Sequence, residues 1–564
     1  MKLKTKYILP LILVVAAIIR LYAIGRGDPL TDEVLYAFRA IGYLDFDFAL
    51  YQPTTLQLFH TAIPWWVKLS FHDHPPLVFL FQYIAMLFFG RTLIVVRALS
   101  ALCGAASVAL VYGIGKKLRD ERTGLVAAAI MAVTVFMVYI SRIGLQESQV
   151  IMFMLLMVFC YLKSRENQKW FLASGAALGL ALLSKYTAAV MVIPIVVDVA
   201  FFSRAALRNK FFWGGVGFTV LLFSPVIVYN ALLYQTFQHF DFQLSYIFGQ
   251  HVPQWVVTPG KDIGSLADRA IGFVTNMWVY GSRVFMVVGV ASILYCVMSL
   301  WKKIKKPLAR SLVFILSALI AHRVLFLAVG PGVRFLTMII PWVVLAIAFM
   351  VADFLASNKS WLRETSVVAL VVFIVAELLF SINTYVAYSP IGIEGITYSH
   401  LHEDMRDWGY NELDTYLGTI VTGKYPSLTV PFDYAFVEDV RAKGIEQARA
   451  DGATPTAYLF VYDDNMHDLA ALWVLQRRAL YDGWAVIPAS VYEETIAEKG
   501  SGYYRLGGFT AIYFIRATDQ ILLVKPERRV NDGEKLEGEL VDKKVSPMSI
   551  KNGAGIEMFR VYQF

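Results

Sequence analysis

The chain has 564 residues, 57% of them hydrophobic and only 17% charged, with a mean hydropathy of +0.56. Soluble domains run near a quarter charged, so this balance excludes an ordinary globular protein and points to a polytopic membrane protein. The net charge of +8 is no sign of nucleic-acid binding in such a chain, because excess Lys and Arg marks cytoplasmic loops. Cys103, Cys160 and Cys296 all fall in apolar runs without disulfide or zinc spacing, and read as small core residues.

In chain order, residues 1–6 carry three lysines, and the apolar run after them ends at Arg20 without a small-residue cleavage site. It reads as a retained first span that starts translocation. A span needs about 20 apolar residues. The segments 7–24, 93–115, 123–140, 148–162, 169–184, 186–202, 211–234, 284–301, 310–329, 333–355 and 364–388 are predicted to cross. The run 77–89 is too short to cross comfortably. Counting it as a span would put the basic loop 116–122 outside, against the positive-inside rule. Read instead as a juxtamembrane helix, it leaves the connectors 116–122, 163–169, 204–210, 302–310 and 359–363 on the cytoplasmic side with the N-terminus. Eleven spans then follow, with an extracytoplasmic C-terminus.

That arrangement sends two long loops, 25–92 and 235–283, and the tail from about 390 to the outer face. The tail changes character. Charges become frequent, and short β-branched and aromatic runs at 457–462, 510–515 and 520–525 read as buried strands. Helical patterns at 468–480 and 490–498 lie between them, so an extracytoplasmic α/β domain is predicted over 390–564, behind a membrane module over 1–389. No glycine-rich phosphate loop follows a strand, and Asp463-Asp464 reads as a solvated turn.

The chemistry-bearing residues gather at the outer membrane edge. Asp32 and Glu33 follow the first span, as a loop edge or as a reactive carboxylate pair. Asp73-His74-Pro-Pro-Leu77 introduces the juxtamembrane helix, its prolines suiting a first turn. Arg97, Arg142, Glu147, Lys185 and Arg334 stand at span ends. Ionisable groups at membrane depth are expensive and default to functional hypotheses, although a single Arg or Lys there also snorkels to headgroups. Gly175 and Gly179 mark a close helix-packing face that ends in Lys185.

The order Thr31-Asp-Glu-Val, His74-Pro-Pro-Leu, Arg97-Ala-Leu-Ser-Ala-Leu, Ser141-Arg with Glu147, Gly179-Leu-Ala-Leu-Leu-Ser-Lys185 and Arg334 resembles the GT-C glycosyltransferases. Within them it is similar to the protein O-mannosyltransferase and aminoarabinose-transferase branch, over roughly residues 1–350. The resemblance implies an inverting enzyme of the prokaryotic plasma membrane. It would move one sugar from a polyprenyl- or dolichyl-phosphate donor to an acceptor hydroxyl on a glycan, lipid or protein. Asp32 would be the catalytic base with Glu33 in support, and Arg97, Lys185 and Arg334 would contact the donor phosphate. Glu147, Arg142, His74 and Tyr36 would contact sugar or acceptor. No cofactor is implied as required. If a divalent metal were bound, Asp73 and His251 would be its ligands, with His239 and Asp241 nearby in the second long loop. A lipid-linked-sugar transporter would instead place charges at the bilayer midplane and repeat its fold. An oligosaccharyltransferase-like enzyme would want a metal-binding acidic motif and a longer tail.

Overall fold

The computed structural model describes residues 7–49, 51–59, 62–256, 263–303, 308–521 and 526–564. Contacts divide it into two units, residues 1–25 with 65–403 and residues 26–64 with 404–564.

The first unit is all helical, and each of the eleven expected spans is a helix or a broken pair of helices. Among the described residues, seven helices are long and apolar enough to cross a membrane, or eight when Glu121–Val133 and Val135–Arg142, bent by 59°, count as one span. The other three expected spans are the shorter apolar helices Ile8–Leu21, Trp170–Ser184 and Tyr186–Phe202. At 1.5 Å per residue, a 14-residue helix such as Ile8–Leu21 rises only about 21 Å, short of the roughly 30 Å hydrocarbon core. Leu77–Phe89 is likewise a short apolar helix, of 13 residues.

Hydrocarbon supplies no water to unpaired backbone groups, so every helix end inside the unit needs a partner. The break at Thr134, where ψ is 130°, frees carbonyls of the preceding turn. Arg20 donates to Ala132 O at 2.8 Å and to Met131 O at 3.3 Å, and the Ser381 hydroxyl donates to Val133 O at 2.5 Å. Arg142 does the same for the helix Ile8–Leu21, donating to Ile19 O and Tyr22 O at 2.8 Å and to Ala23 O at 3.1 Å. The glycine face also behaves as expected. A Cβ on Gly175 would lie 1.9 Å from Gly215 O, so Trp170–Ser184 and Lys210–Phe237 pack backbone to backbone.

The second unit is α/β. Strands β1 (Lys424–Pro426) and β2 (Thr454–Thr456) form a parallel pair. Strands β3 (Tyr458–Tyr462), β4 (Ala485–Pro488), β5 (Ala511–Ala517), β6 (Met548–Lys551) and β7 (Glu557–Gln563) form one sheet in the order β4-β3-β5-β7-β6. β3 runs parallel to β4 and β5, while β7 is antiparallel to β5 and β6. Two of the expected strands are thus β3 and β5. In the third, Gln520 and Ile521 lie in a turn and 522–525 fall outside the described residues. The expected helix at 490–498 is Ala489–Lys499, while that at 468–480 runs Asp468–Ala471, a π turn Leu472–Gln476, and Arg477–Tyr481. The pair Asp463-Asp464 is no solvated turn. Asp463 is buried and pairs with Arg516, and Asp464 caps Ala489–Lys499 by accepting the Ser490 N–H at 2.9 Å.

Residues 26–64 belong to this unit, not with the membrane helices where the loop 25–92 was placed from sequence. The reason is a set of buried polar anchors and rings. Asp28 caps the helix Tyr410–Val421 across the chain, accepting N–H groups of Trp408, Tyr410 and Asn411 at 2.5, 3.3 and 3.0 Å. Tyr481 donates to Phe38 O at 2.7 Å, Arg39 pairs with Asp47, and Phe46 packs on the Tyr434 and Phe436 rings.

Burial pushes the Asp28 carboxyl up to about 7 against the pull of its three N–H donors, with Asp407 adding to the rise. A folded-state value above the unfolded one means the folded chain holds the proton longer, so this group's contribution falls as pH climbs from about 4 to 7. Asp28→Ala is expected to lower stability by about 2 kcal/mol through loss of the cap. Asp28→Asn should remove that pH slope, so its midpoint relative to wild type should rise between pH 5 and pH 8. Unfolding of the full chain in detergent at both values checks this.

Candidate active site

Three residues singled out separately in the sequence meet in the first unit. Glu147 lies in the first turn of Gln146–Ser164, and Lys185 is the C-cap of Trp170–Ser184. Each charge therefore suits the end of the helix that carries it. Lys185 Nζ donates to Glu147 Oε1 at 2.5 Å, and the two side chains are 9% and 0% exposed. Arg334 follows the left-handed Gly330 (φ +85°) in the short helix Val333–Leu336, and its Nε lies 3.9 Å from the same Glu147 oxygen. Arg334 is 23% exposed, the most open of the three. The Phe335 ring lies against both cations, 4.4 Å from Lys185 Nζ and 5.4 Å from Arg334 Cζ. Two cations and one carboxylate leave the cluster with one net positive charge.

Sequence reasoning missed Phe335 and Gln146. Gln146 is fully buried, and neither its amide nitrogen nor its oxygen finds a partner among the described residues; the second oxygen of Glu147 is also unpaired. A buried amide without partners costs a few kcal/mol. Its position directly before Glu147 was the only signal available.

The remaining expected residues are placed as follows. Arg97 is buried and donates to Ile24 O at 3.2 Å. Arg142, expected at sugar or acceptor, is fully buried on the backbone carbonyls given above. His74 Nδ1 lies 3.0 Å from Asp73 Oδ2, and His72 Nδ1 lies 3.7 Å from Asp73 Oδ1. His251 is exposed and joins no group of ligating side chains among the described residues. Asp32, Glu33 and Tyr36 fall in the second unit. There Asp32 is the half-buried N-cap residue of the helix Glu33–Gly42, while Glu33 and Tyr36 are buried within that helix.

Lys185→Met leaves the buried Glu147 carboxylate without its nearest cation and is expected to lower stability by about 3–5 kcal/mol. Adding Glu147→Gln should recover most of that loss, a coupling that thermal unfolding of the four proteins in detergent measures directly.

Known proteins match this chain in two ways. The sequence profile described as dolichyl-phosphate-mannose-protein mannosyltransferase matches residues 73–229, a stretch that contains His74, Arg97, Arg142, Glu147 and Lys185. A mannosyltransferase-named protein of Bacillus subtilis (strain 168), YycA, is 31% identical over 205 residues, which are 36% of this chain and 28% of that protein. The match therefore spans under a third of that relative's length. In three dimensions the chain is similar to ArnT from Cupriavidus metallidurans. The form bound to undecaprenyl phosphate aligns with a TM-score of 0.51 and 14% identity, covering 99% of this chain and 97% of that one. The apo form aligns over the same shares with a TM-score of 0.51 and 12% identity. The chain is thus similar in fold to ArnT over nearly its whole length, and carries a mannosyltransferase sequence pattern over residues 73–229.

Proposed function

We propose that this protein is a glycosyltransferase that moves a single sugar from a polyprenyl or dolichyl phosphate to an acceptor hydroxyl on the extracytoplasmic face. The observation that carries the reading is the convergence of Glu147, Lys185 and Arg334. The donor is a phosphodiester with one negative charge. When the bond from the anomeric carbon to the phosphate oxygen breaks, the lipid leaves as a monoester with a second charge. Fixed cations stabilise that growing charge most where water is excluded. Lys185 and Arg334 serve this role, Arg334 as the more accessible guanidinium. Glu147 holds the two cations in place while leaving the cluster net positive.

A hydroxyl is a poor nucleophile, and a carboxylate that takes its proton as the new bond forms speeds attack by about 10²–10⁴-fold. Asp32 is proposed as that base with Glu33 in support, on the strength of its motif after the first span. In-line attack of the acceptor oxygen opposite the departing phosphate inverts the anomeric centre. The N-terminus is cytoplasmic in this reading, because the basic connectors then lie inside. The reaction uses no obligatory metal, since Lys185 and Arg334 already supply positive charge. Metal bound at Asp73 would be an addition to this scheme.

Membranes carrying wild type or Asp32→Asn, incubated with a panel of polyprenyl-phosphate sugars, test the assignment. The variant is expected to lose at least about 10²-fold in transfer while still binding donor, and wild-type transfer should survive EDTA. Undiminished transfer by Asp32→Asn would remove Asp32 from the base role. Movement of an intact lipid-linked sugar across the membrane, without cleavage of its phosphate bond, would instead make the protein a transporter.

A further inference from the structure

Asp241 is another buried carboxylate of the first unit. It is 0% exposed. Its Oδ2 accepts the Tyr186 hydroxyl at 2.6 Å and the Asn230 amide at 2.8 Å, and its Oδ1 accepts the Leu244 N–H at 2.9 Å. Its own N–H donates to Asn230 Oδ1 at 2.8 Å. The next N–H, of Phe242, donates to His72 O at 2.7 Å and ties the segment holding Asp73 and His74 to the same point. Asp241 and the residue after it therefore join four stretches of chain: the turn after Lys185, the helix Lys210–Phe237, the short helix Phe242–Ile247 and residues 72–74.

A helix N-cap alone does not require a buried acid, since Ser or Asn would satisfy one N–H. A carboxylate offers acceptors only, on two oxygens, and here it meets three donors from separate elements. Burial raises the Asp241 carboxyl, and the neighbouring Asp73 adds to that rise while the donors oppose it. Holding it here is costly, and what it holds is specific. Lys185 is extended (φ −166°, ψ 137°), between the end of one helix and the start of the turn Tyr186–Met191. The side chain that anchors this turn to Asp241 belongs to the residue directly after Lys185.

We propose that Tyr186 and Asp241 are positioning residues that fix Lys185 for the lipid phosphate, so that the loop after Lys210–Phe237 sets the geometry of the donor site. This rests on the phosphate role given to Lys185 above. Electrostatic stabilisation depends on donors already in place, and a displacement of about 1 Å can cost up to about 10²-fold.

The test uses the full chain in detergent, with undecaprenyl phosphate as the probe and undecaprenol, which lacks the phosphate, as the control. Tyr186→Phe is expected to weaken undecaprenyl phosphate binding about tenfold, leave undecaprenol binding unchanged, and keep the lipid-free unfolding midpoint close to wild type. Asp241→Asn, which keeps one acceptor oxygen, should shift the same affinity in the same direction. The double variant Lys185→Ala/Tyr186→Phe should bind no more weakly than Lys185→Ala, because Tyr186 acts through Lys185. Additive losses, or a lowered midpoint with unchanged phosphate affinity, would overturn the positioning role. If Lys185→Ala weakens phosphate binding and Tyr186→Phe does not, positioning alone fails. Unchanged binding in Lys185→Ala would overturn the phosphate role and the positioning role together.

Discussion

The buried pair of Glu147 and Lys185 is the constraint on which the membrane unit depends. Two charges removed from water cost several kcal/mol each, and they are tolerated only when each compensates the other in close geometry. At 2.5 Å the two helix ends that carry them have little freedom to slide. Trp170–Ser184 is also locked against Lys210–Phe237 where Gly175 meets Gly215. The pair is thus fixed from two sides, by an ion contact at one end of the helix and by backbone packing along its length. Arg334 adds a third charge on a separate segment that begins at a left-handed glycine. The cluster thereby keeps one excess positive charge.

Other buried charges answer a different demand. Arg20 and Arg142 serve backbone carbonyls that hydrocarbon would leave unpaired, one at the break at Thr134 and one at the end of the first helix. A guanidinium suits that task because it presents five N–H donors in a fixed fork. In the second unit the roles reverse, and the carboxylates of Asp28 and Asp464 serve N–H groups at helix starts. Ionisable groups in this chain therefore divide between those that complete helix ends and those that meet one another. Sequence position alone does not separate the two kinds, since Arg142 and Lys185 both stand at the end of an apolar run.

Much of the fold was legible in the sequence. Long apolar runs marked the membrane helices because a span must satisfy its own backbone and face lipid with apolar side chains. The change in composition near 390 marked the α/β unit, and β-branched and aromatic runs located β3 and β5. β1, β2, β4, β6 and β7 escaped notice, for short strands are specified by their neighbours in the sheet as much as by their own residues. Charge periodicity could not attach residues 26–64 to the second unit, because single contacts such as Asp28 with Trp408 link positions far apart in the chain.

The sequence by itself determined the membrane class, most of the helices and the identity of Glu147, Lys185 and Arg334 as residues out of place in hydrocarbon. That information is local, since a charge in an apolar run is conspicuous wherever it occurs. Only the tertiary structure decided which of those charges meet. It brought Glu147, Lys185 and Arg334 around Phe335, turned Arg142 to the carbonyls of the first helix, and joined Asp241 to the turn that follows Lys185. Pairing of this kind depends on how helices cross and where they break, and those are properties of packed surfaces rather than of any one segment.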